Sequence, residues 1–209
     1  ELHLDRDMVL FFQTARPDQV TVNMTRATKI DATDAWQLTK AEIALRRQMM
    51  ELWRFFQKEI PGFEQTYIVT SGPQAGVRES RRIVGDYVLQ ASDIVEGVEF
   101  PDTISRNAYP IDIHAPDGQG VQTINLQAQS YCLPYRVLLP KGIEGLLVVG
   151  RCISCTHETL AAVRTQPSVM ALGQAGGTAA ALAVQAGQSP REISIEDLQR
   201  RLRSQNVLI

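Results

Sequence analysis

Cysteine is too scarce here for a disulfide scaffold: three in 209 residues cannot all pair, and a reducing compartment is the simpler expectation. The chain also lacks a surplus of basic charge. With 21 Lys and Arg against 23 Asp and Glu, it gives no reason to expect nucleic acid or an anionic membrane surface as a partner. The longest apolar stretches are broken by Gly, Gln or charge well before the ~20 residues that a bilayer requires, so no membrane span is expected. Neither a G-x-S-x-G nucleophile elbow nor a phosphate-binding lysine loop occurs, which leaves hydrolase and kinase chemistry without support. A signal-peptide pattern is missing as well, and the chain opens Glu1-Leu2-His3 without methionine. The expectation is a soluble, cytoplasmic protein whose natural amino terminus has been removed.

What the chain does have is apolar content, 44% of its residues, enough to bury a real core in one large domain or two small ones. Met8–Phe12 and Val20–Asn23 flank the turn-like Ala15-Arg16-Pro17-Asp18 and predict a hairpin. An amphipathic helix of about 20 residues follows. Thr39 and Glu42 have capping-box spacing, and Leu38, Leu45, Met49, Leu52 and Phe56 recur at steps of three, four or seven until Ile60-Pro61-Gly62 stops them. That stripe reads as a face packed on a sheet, with a cofactor or partner-helix role as the lesser alternative. Tyr67–Val69 and Ile83–Leu89 read as strands around the charged run 76–82. Residues 100–120, with three prolines and two glycines, read as a long irregular connection. Thr123–Gln127 and Tyr135–Leu139 are further candidate strands. Ser189-Pro190 breaks the chain before a short helix capped by Ser194.

Residues 146–187 carry the chemistry. Leu146–Val149 are apolar without alternation, as in a strand covered on both faces, and Gly150-Arg151 fall at its carboxyl end, where ligands sit in parallel sheets. Glycine there allows close backbone approach, and arginine offers a fork of donors to phosphate, ribityl or carboxylate oxygens. A helix opens at Pro167, so the N–H groups of Ser168, Val169 and Met170 are expected to point out of an end that favours negative charge. Gly173, Gly176 and Gly177 weaken that helix by up to ~1 kcal/mol each, so something must approach closely. Close packing of helix on sheet would meet that need without any cofactor.

Together these segments resemble a family. Tyr135–Gly142, Gly150-Arg151-Cys152-Ile153-Ser154, Thr156-His157-Glu158 and Met170–Ala175 are similar to the carboxyl-terminal portion of bacterial FAD-dependent oxidoreductases. Upstream, Pro61–Glu64, Arg78–Gly85 and Tyr109–His114 share the pattern, so the resemblance covers nearly the whole chain. It implies an α/β (mixed α+β) chain: a partial FAD/NAD(P)-binding-type fold with a mixed-sheet substrate region, its amino-terminal glycine-rich half missing. Residues 1–130 would be the substrate-side sheet and helix region, and residues 131–209 the segment returning to the FAD-binding domain. Gly150, Arg151, Pro167, Ser168, Val169 and Met170 would face the ribityl chain and flavin ring of FAD. Many flavoproteins place an acidic residue after the corresponding glycine, so Arg151 departs from the wider pattern and backbone contact is emphasised. The ADP half of FAD needs a glycine-rich loop that is not found. Gly118-Gln119-Gly120 runs on to Thr123 where a third glycine is required. The fragment by itself is therefore expected to be inactive and not to retain FAD.

Period-two alternation over 78–82 would put Arg78, Ser80 and Arg82 on one face and Glu79 and Arg81 on the other. One face suits an anionic small-molecule substrate, Arg81 being the catalytic candidate and Arg78 and Arg82 substrate-binding candidates. An ion-paired sheet surface with Glu79, Glu64 or Asp86 explains the same charges equally well. His157 and His114 are the candidates for proton transfer, as imidazole titrates near neutral pH. Cys152-Ile153-Ser154-Cys155 with His157 and Cys132 has the elements of a zinc site, but it lacks a second knuckle, so no metal is expected. The rival readings are a substrate-recognition or interaction domain without redox activity and, behind it, a Cys/His zinc-binding module.

Overall fold

A computed structural model describes residues 8–114 and 121–209, with only the backbone described at His114, Val121 and Gln122; Gly118-Gln119-Gly120 lie outside the described residues. Contacts divide the chain into two units, one built from the residues up to Ser80 together with His114–Val121 and the other from Arg81–Ile113 with Gln122–Ile209.

In the first unit the expected hairpin forms. β1 (Leu10–Gln13) pairs antiparallel with β2 (Val20–Asn23), Leu10 opposite Asn23 and Gln13 opposite Val20. Helix α1 (Ala35–Glu59) starts earlier than its spacing predicted, because Asp34 supplies the cap: its carboxylate accepts from the N–H groups of Trp36 at 2.8 Å and Gln37 at 3.3 Å. Thr39 is interior, its hydroxyl donating to the Ala35 carbonyl, and Glu42 accepts from the Ala75 N–H instead of closing a capping box. Leu52 and Phe56 are buried with Met24 against Val9, Val22 and Phe63, so the stripe packs on the hairpin as expected. Tyr67–Val69 form no regular strand, and Tyr67 and Val69 are exposed; no strand lies beside them among the described residues.

The second unit holds the larger core, centred on Leu89, Ile94, Ile104, Leu133, Leu138 and Leu172. Where a long irregular connection was expected, β3 (Thr103–Asn107) and β4 (Ile111–His114) form, because Pro101 and Pro110 flank these strands and do not interrupt them. β3 pairs antiparallel with β6 (Tyr131–Pro134) across a bulge between Thr103 and Ser105, and β4 pairs with β5 (Val121–Ile124). The segment Tyr135–Leu138 is a tight 3-10 turn, not a strand. Asp102 holds it there, taking the Arg136 N–H at 3.1 Å, Nε at 2.9 Å and Nη2 at 3.1 Å. The short helix α2 (Ala91–Glu96) ends at Gly97, whose φ of +71° and whose closeness to Ala128 and Ser130 leave no room for a side chain.

Ile83–Leu89 is extended but not a regular strand; its N–H groups bond to two different segments, Leu139 and residues 152–154, with bridges only at Gly85–Pro140 and Leu89–Cys155. Leu146–Val149 likewise is not the doubly covered strand expected. Leu146 is 45% and Val149 40% exposed, and the segment's one cross-chain backbone bond runs from Val148 N–H to Leu138 O at 2.9 Å. A 3-10 turn at Gly150–Cys152 follows. The carboxyl-terminal part is helical: α3 (His157–Val163), α4 (Gln166–Ala186) and α5 (Ile195–Ser204), the last capped by Ser194 as predicted. At 21 residues α4 is long and apolar enough, by length and composition, to cross a membrane, which the sequence pattern did not suggest. Its stripe Leu172, Ala175, Gly176, Ala179 and Ala183 is buried in this unit. The described residues form a mixed α/β fold of small two-stranded sheets and five helices.

Gly176 sits where a Cβ would lie 2.5 Å from Val149 Cγ1, whereas at Gly177 nothing lies within 4 Å. Gly176→Ala is expected to cost ~1–3 kcal/mol by overpacking. Gly177→Ala is expected to gain up to ~1 kcal/mol of helix propensity in this chain, with denaturant melts reading both. Tyr87 supplies a pH test. Burial, reinforced by its 2.8 Å bond to Asp93, pushes its hydroxyl from 10.0 up to about 12. The stability it contributes is present below pH ~10 and lost as pH rises toward 12, so melts between pH 9 and 12 should fall less steeply in Tyr87→Phe.

Candidate functional site

The elements singled out by sequence meet in the second unit. Ile83 N–H donates to Cys152 O at 2.9 Å, Gly85 N–H to Ser154 Oγ at 2.9 Å and Leu89 N–H to Ser154 O at 3.1 Å, while Thr156 N–H returns to Leu89 O at 3.0 Å. These bonds lay residues 83–89 along 152–156, so Arg82 enters the pair from the Cys152 end. Glu158, at the first turn of α3, feels the result. Its carboxyl is held below the ordinary range, first by its own backbone N–H, then by the Thr156 hydroxyl, with smaller help from the charges of His157 and Arg82.

Gly150 adopts φ +85°, and a Cβ built on it would touch only Val169 Cγ1, at 3.9 Å. The glycine turn and the start of α4 are therefore neighbours. Arg151 is exposed, as are Pro167 and Met170, the last at 74%. Ser168 is buried, with its hydroxyl bonded to Asn107 at 2.7 Å.

The start of α4 carries fewer open donors than expected. Val169 N–H is taken by Thr165 O at 3.0 Å, and Met170 lies one position further into the helix. Pro167 has no N–H, so the donors not used inside the helix are those of Gln166 and Ser168. No side chain caps them, although Thr165 stands at the cap position. Ser168 is 1% exposed, so its N–H is shut in, and it is the exposed Gln166 N–H, with the helix end behind it, that suits an electron-rich acceptor edge beside the glycine turn. The residues present thus fit the flavin end of FAD through their backbone.

Other predicted residues are not brought together. Arg78 belongs to the first unit, where it lines a cavity of about 1020 Å³ with Arg46, Trp53 and Tyr67, while Arg81 and Arg82 belong to the second. The run 78–82 is not a strand, so the shared face of Arg78, Ser80 and Arg82 does not form. His157 is exposed as the first residue of α3, and His114 ends β4. Cys132 and Cys155 are buried and Cys152 exposed. Among the described residues no group of three His, Cys, Asp or Glu is placed to hold a metal, so the zinc module finds no ligand set. Sequence reasoning missed Asn107 and Thr165, which bind Ser168 at the start of α4, and Ser105, which accepts from Asn107. The Thr-x-Pro-Ser run at 165–168 was the available signal for the cap.

A glycine turn, an open helix end and an arginine-bearing segment on one stretch of backbone are what the resemblance to flavin enzymes implied. The family model described as FAD dependent oxidoreductase matches residues 2–202. No curated protein and no solved structure matches the chain. With the family model spanning nearly all of its length, the chain belongs to the FAD dependent oxidoreductase family.

Proposed function

We propose that these residues are the carboxyl-terminal part of an FAD-dependent oxidoreductase acting on a small-molecule substrate. In this reading residues 1–130 serve the substrate side and residues 131–209 return to the flavin. The observation that carries it is the meeting of the Arg81-Arg82 segment, the Gly150 turn and the uncapped start of α4 in one unit. When bound, FAD supplies the redox chemistry by accepting a hydride from the substrate.

The chain's own residues bind and orient. Gly150 lets the backbone approach the cofactor, and Arg151 reaches its polar oxygens from the exposed turn. The Gln166 N–H and the positive end of the α4 dipole would favour an electron-rich ring edge, while Val169 and Met170 line the same end of α4. Arg81 positions an anionic group of the substrate, assisted by Arg82. His157 is the first choice for proton transfer. A glycine-rich loop for the ADP moiety falls to an amino-terminal half outside these residues. Support comes from apolar side chains left open around the site: Leu146, Val149 and Met170, with Val184 further along α4. The cytoplasm is the proposed location.

A recognition domain without redox activity is favoured only by the cavity of the first unit. FAD separates the two readings. The complete protein is expected to purify with bound FAD and the 209-residue chain to bind it weakly or not at all; absorbance of the purified proteins decides. A complete protein without FAD removes the flavoenzyme, and a stoichiometric yellow complex of this chain alone removes the missing half. Backbone and side-chain roles at the turn separate likewise. Gly150→Ala is expected to cost ~1–2 kcal/mol at a left-handed φ and to weaken FAD binding. Arg151→Ala should change stability by less than ~0.5 kcal/mol, its effect being confined to cofactor affinity.

A further inference from the structure

The apolar stripe of α1 is only half covered. Leu52 and Phe56 are buried under the hairpin, whereas Leu38, Leu45 and Met49, on the same face at steps of three, four or seven, are left half-exposed and line the cavity of the first unit. Two stretches of strand-like composition border the same cavity. One is β2, and the other is Tyr67–Thr70. The second is fastened at its two ends to a separate row of α1: Trp53 Nε1 and Gln57 Nε2 donate to Thr66 O at 3.1 and 2.9 Å, and Arg46 Nη2 to Gly72 O at 2.8 Å.

Both stretches have open backbone. Thr14 N–H bonds to Gln19 O, so along the antiparallel ladder Thr21 and Asn23 exchange bonds with β1, and the N–H and C=O groups of Val20 and Val22 point away from it. No backbone group of Tyr67, Ile68, Val69 or Thr70 is bonded to another backbone group among the described residues. Natural sheet edges are commonly blunted by charge or proline, and Val20-Thr21-Val22-Asn23 and Tyr67-Ile68-Val69-Thr70 carry neither. Such edges suit one kind of neighbour. A helix spends its N–H and C=O groups on itself, whereas an extended strand offers both at every second residue along each side and turns alternate side chains to an apolar floor.

We propose that the groove over Leu38, Leu45 and Met49 receives one extended strand from the amino-terminal half of the same protein, apolar at alternate positions and paired with β2 on one side and Tyr67–Thr70 on the other. The inference rests on the flavin reading under Proposed function, which puts that half outside these residues. A strand on the same polypeptide meets the groove at an effective concentration of up to roughly millimolar, which favours it over a second copy or a separate partner. The substrate side is then built by both halves, because an isolated two-stranded hairpin is marginal and a third and fourth strand complete it.

Residue-resolved hydrogen exchange on the full-length protein tests this, with the 209-residue chain beside it. Val20, Val22 and alternate amides of Tyr67–Thr70 are expected to exchange about tenfold or more slowly in the full-length protein than in the chain alone. Phe12 and Thr21, paired with each other across the hairpin, are the control for a folded hairpin in both. Equal rates at the two edges overturn the proposal. Protection that grows with protein concentration assigns the groove to a second copy and overturns it too. Val20→Pro removes a donor aimed at the added strand and leaves the β1 ladder intact. In the full-length protein it is expected to speed exchange across the groove at Tyr67–Thr70, and no change there overturns the single bridging strand. Should Val20→Pro fail to fold, the wild-type comparison decides by itself. Protected edges in a full-length protein without FAD refute the flavin reading and leave the strand standing, whereas bound FAD with open edges removes the strand and spares the flavin reading.

Discussion

Ser154 is the point on which the second unit depends. It is fully buried, and each of its polar groups is used: its N–H donates to Val137 O at 3.0 Å, its carbonyl accepts from Leu89 and its hydroxyl from Gly85. Buried polar groups must be paired, because each one left unmatched costs ~1–3 kcal/mol. Three segments with no regular strand among them are thereby fastened through one residue. Gly85 is what lets them come so close, as a Cβ there would lie 2.8 Å from Ser154 Cβ and 3.0 Å from Leu139 O. The meeting of residues 81–89 with the Gly150 turn follows from this junction.

A second fastening sets the direction in which the chain leaves it. Asp102, nearly buried, grips Arg136 through both the guanidinium and the backbone N–H, and the same guanidinium lies 5.1 Å from the Tyr87 ring centroid. Tyr87 is tied by its hydroxyl to Asp93 at the start of α2. A charged pair of this sort is worth more than a surface ion pair because its partners also satisfy a turn of backbone. It converts what would continue as a strand after Pro134 into a turn, and so brings Leu138 and Leu139 to the positions where they receive Val148 and Asp86.

Elements whose signals are local were legible in the sequence. The hairpin, the long amphipathic helix, the proline-led α4 and the Ser194 cap each depend on residues a few positions apart. Ile83–Leu89, Tyr135–Leu139 and Leu146–Val149 were read as strands because their composition suits extended chain, and extended chain is what the first and last of them are. A strand, however, is defined by its neighbour. Whether one lies alongside is decided by residues from 10 positions away, as at Val148 and Leu138, to 69, as at Gly85 and Ser154, and no local pattern records it. The candidate site shared this limit. Gly150 and the α4 start were visible as chemistry, whereas Asn107 was a lone amide in a segment taken for loop, and its partner Ser168 lies 61 residues on.

The three glycines of α4 show how far packing explains this helix and where it stops. Each weakens an isolated helix by up to ~1 kcal/mol, a cost tolerated when a close neighbour offsets it. At Gly176 the neighbour is Val149, and simple packing of chain on helix accounts for the residue. At Gly173 and Gly177 nothing lies within 4 Å, so the same explanation fails three residues before Gly176 and one residue after it. Those two glycines lie on a face shared with Gln174 and Ala181, open among the described residues. A glycine that meets no neighbour costs helix stability without a return in packing, and across this face the contact is made by side chains instead, Gln174 Nε2 donating to Gln205 Oε1 at the end of α5 at 2.9 Å.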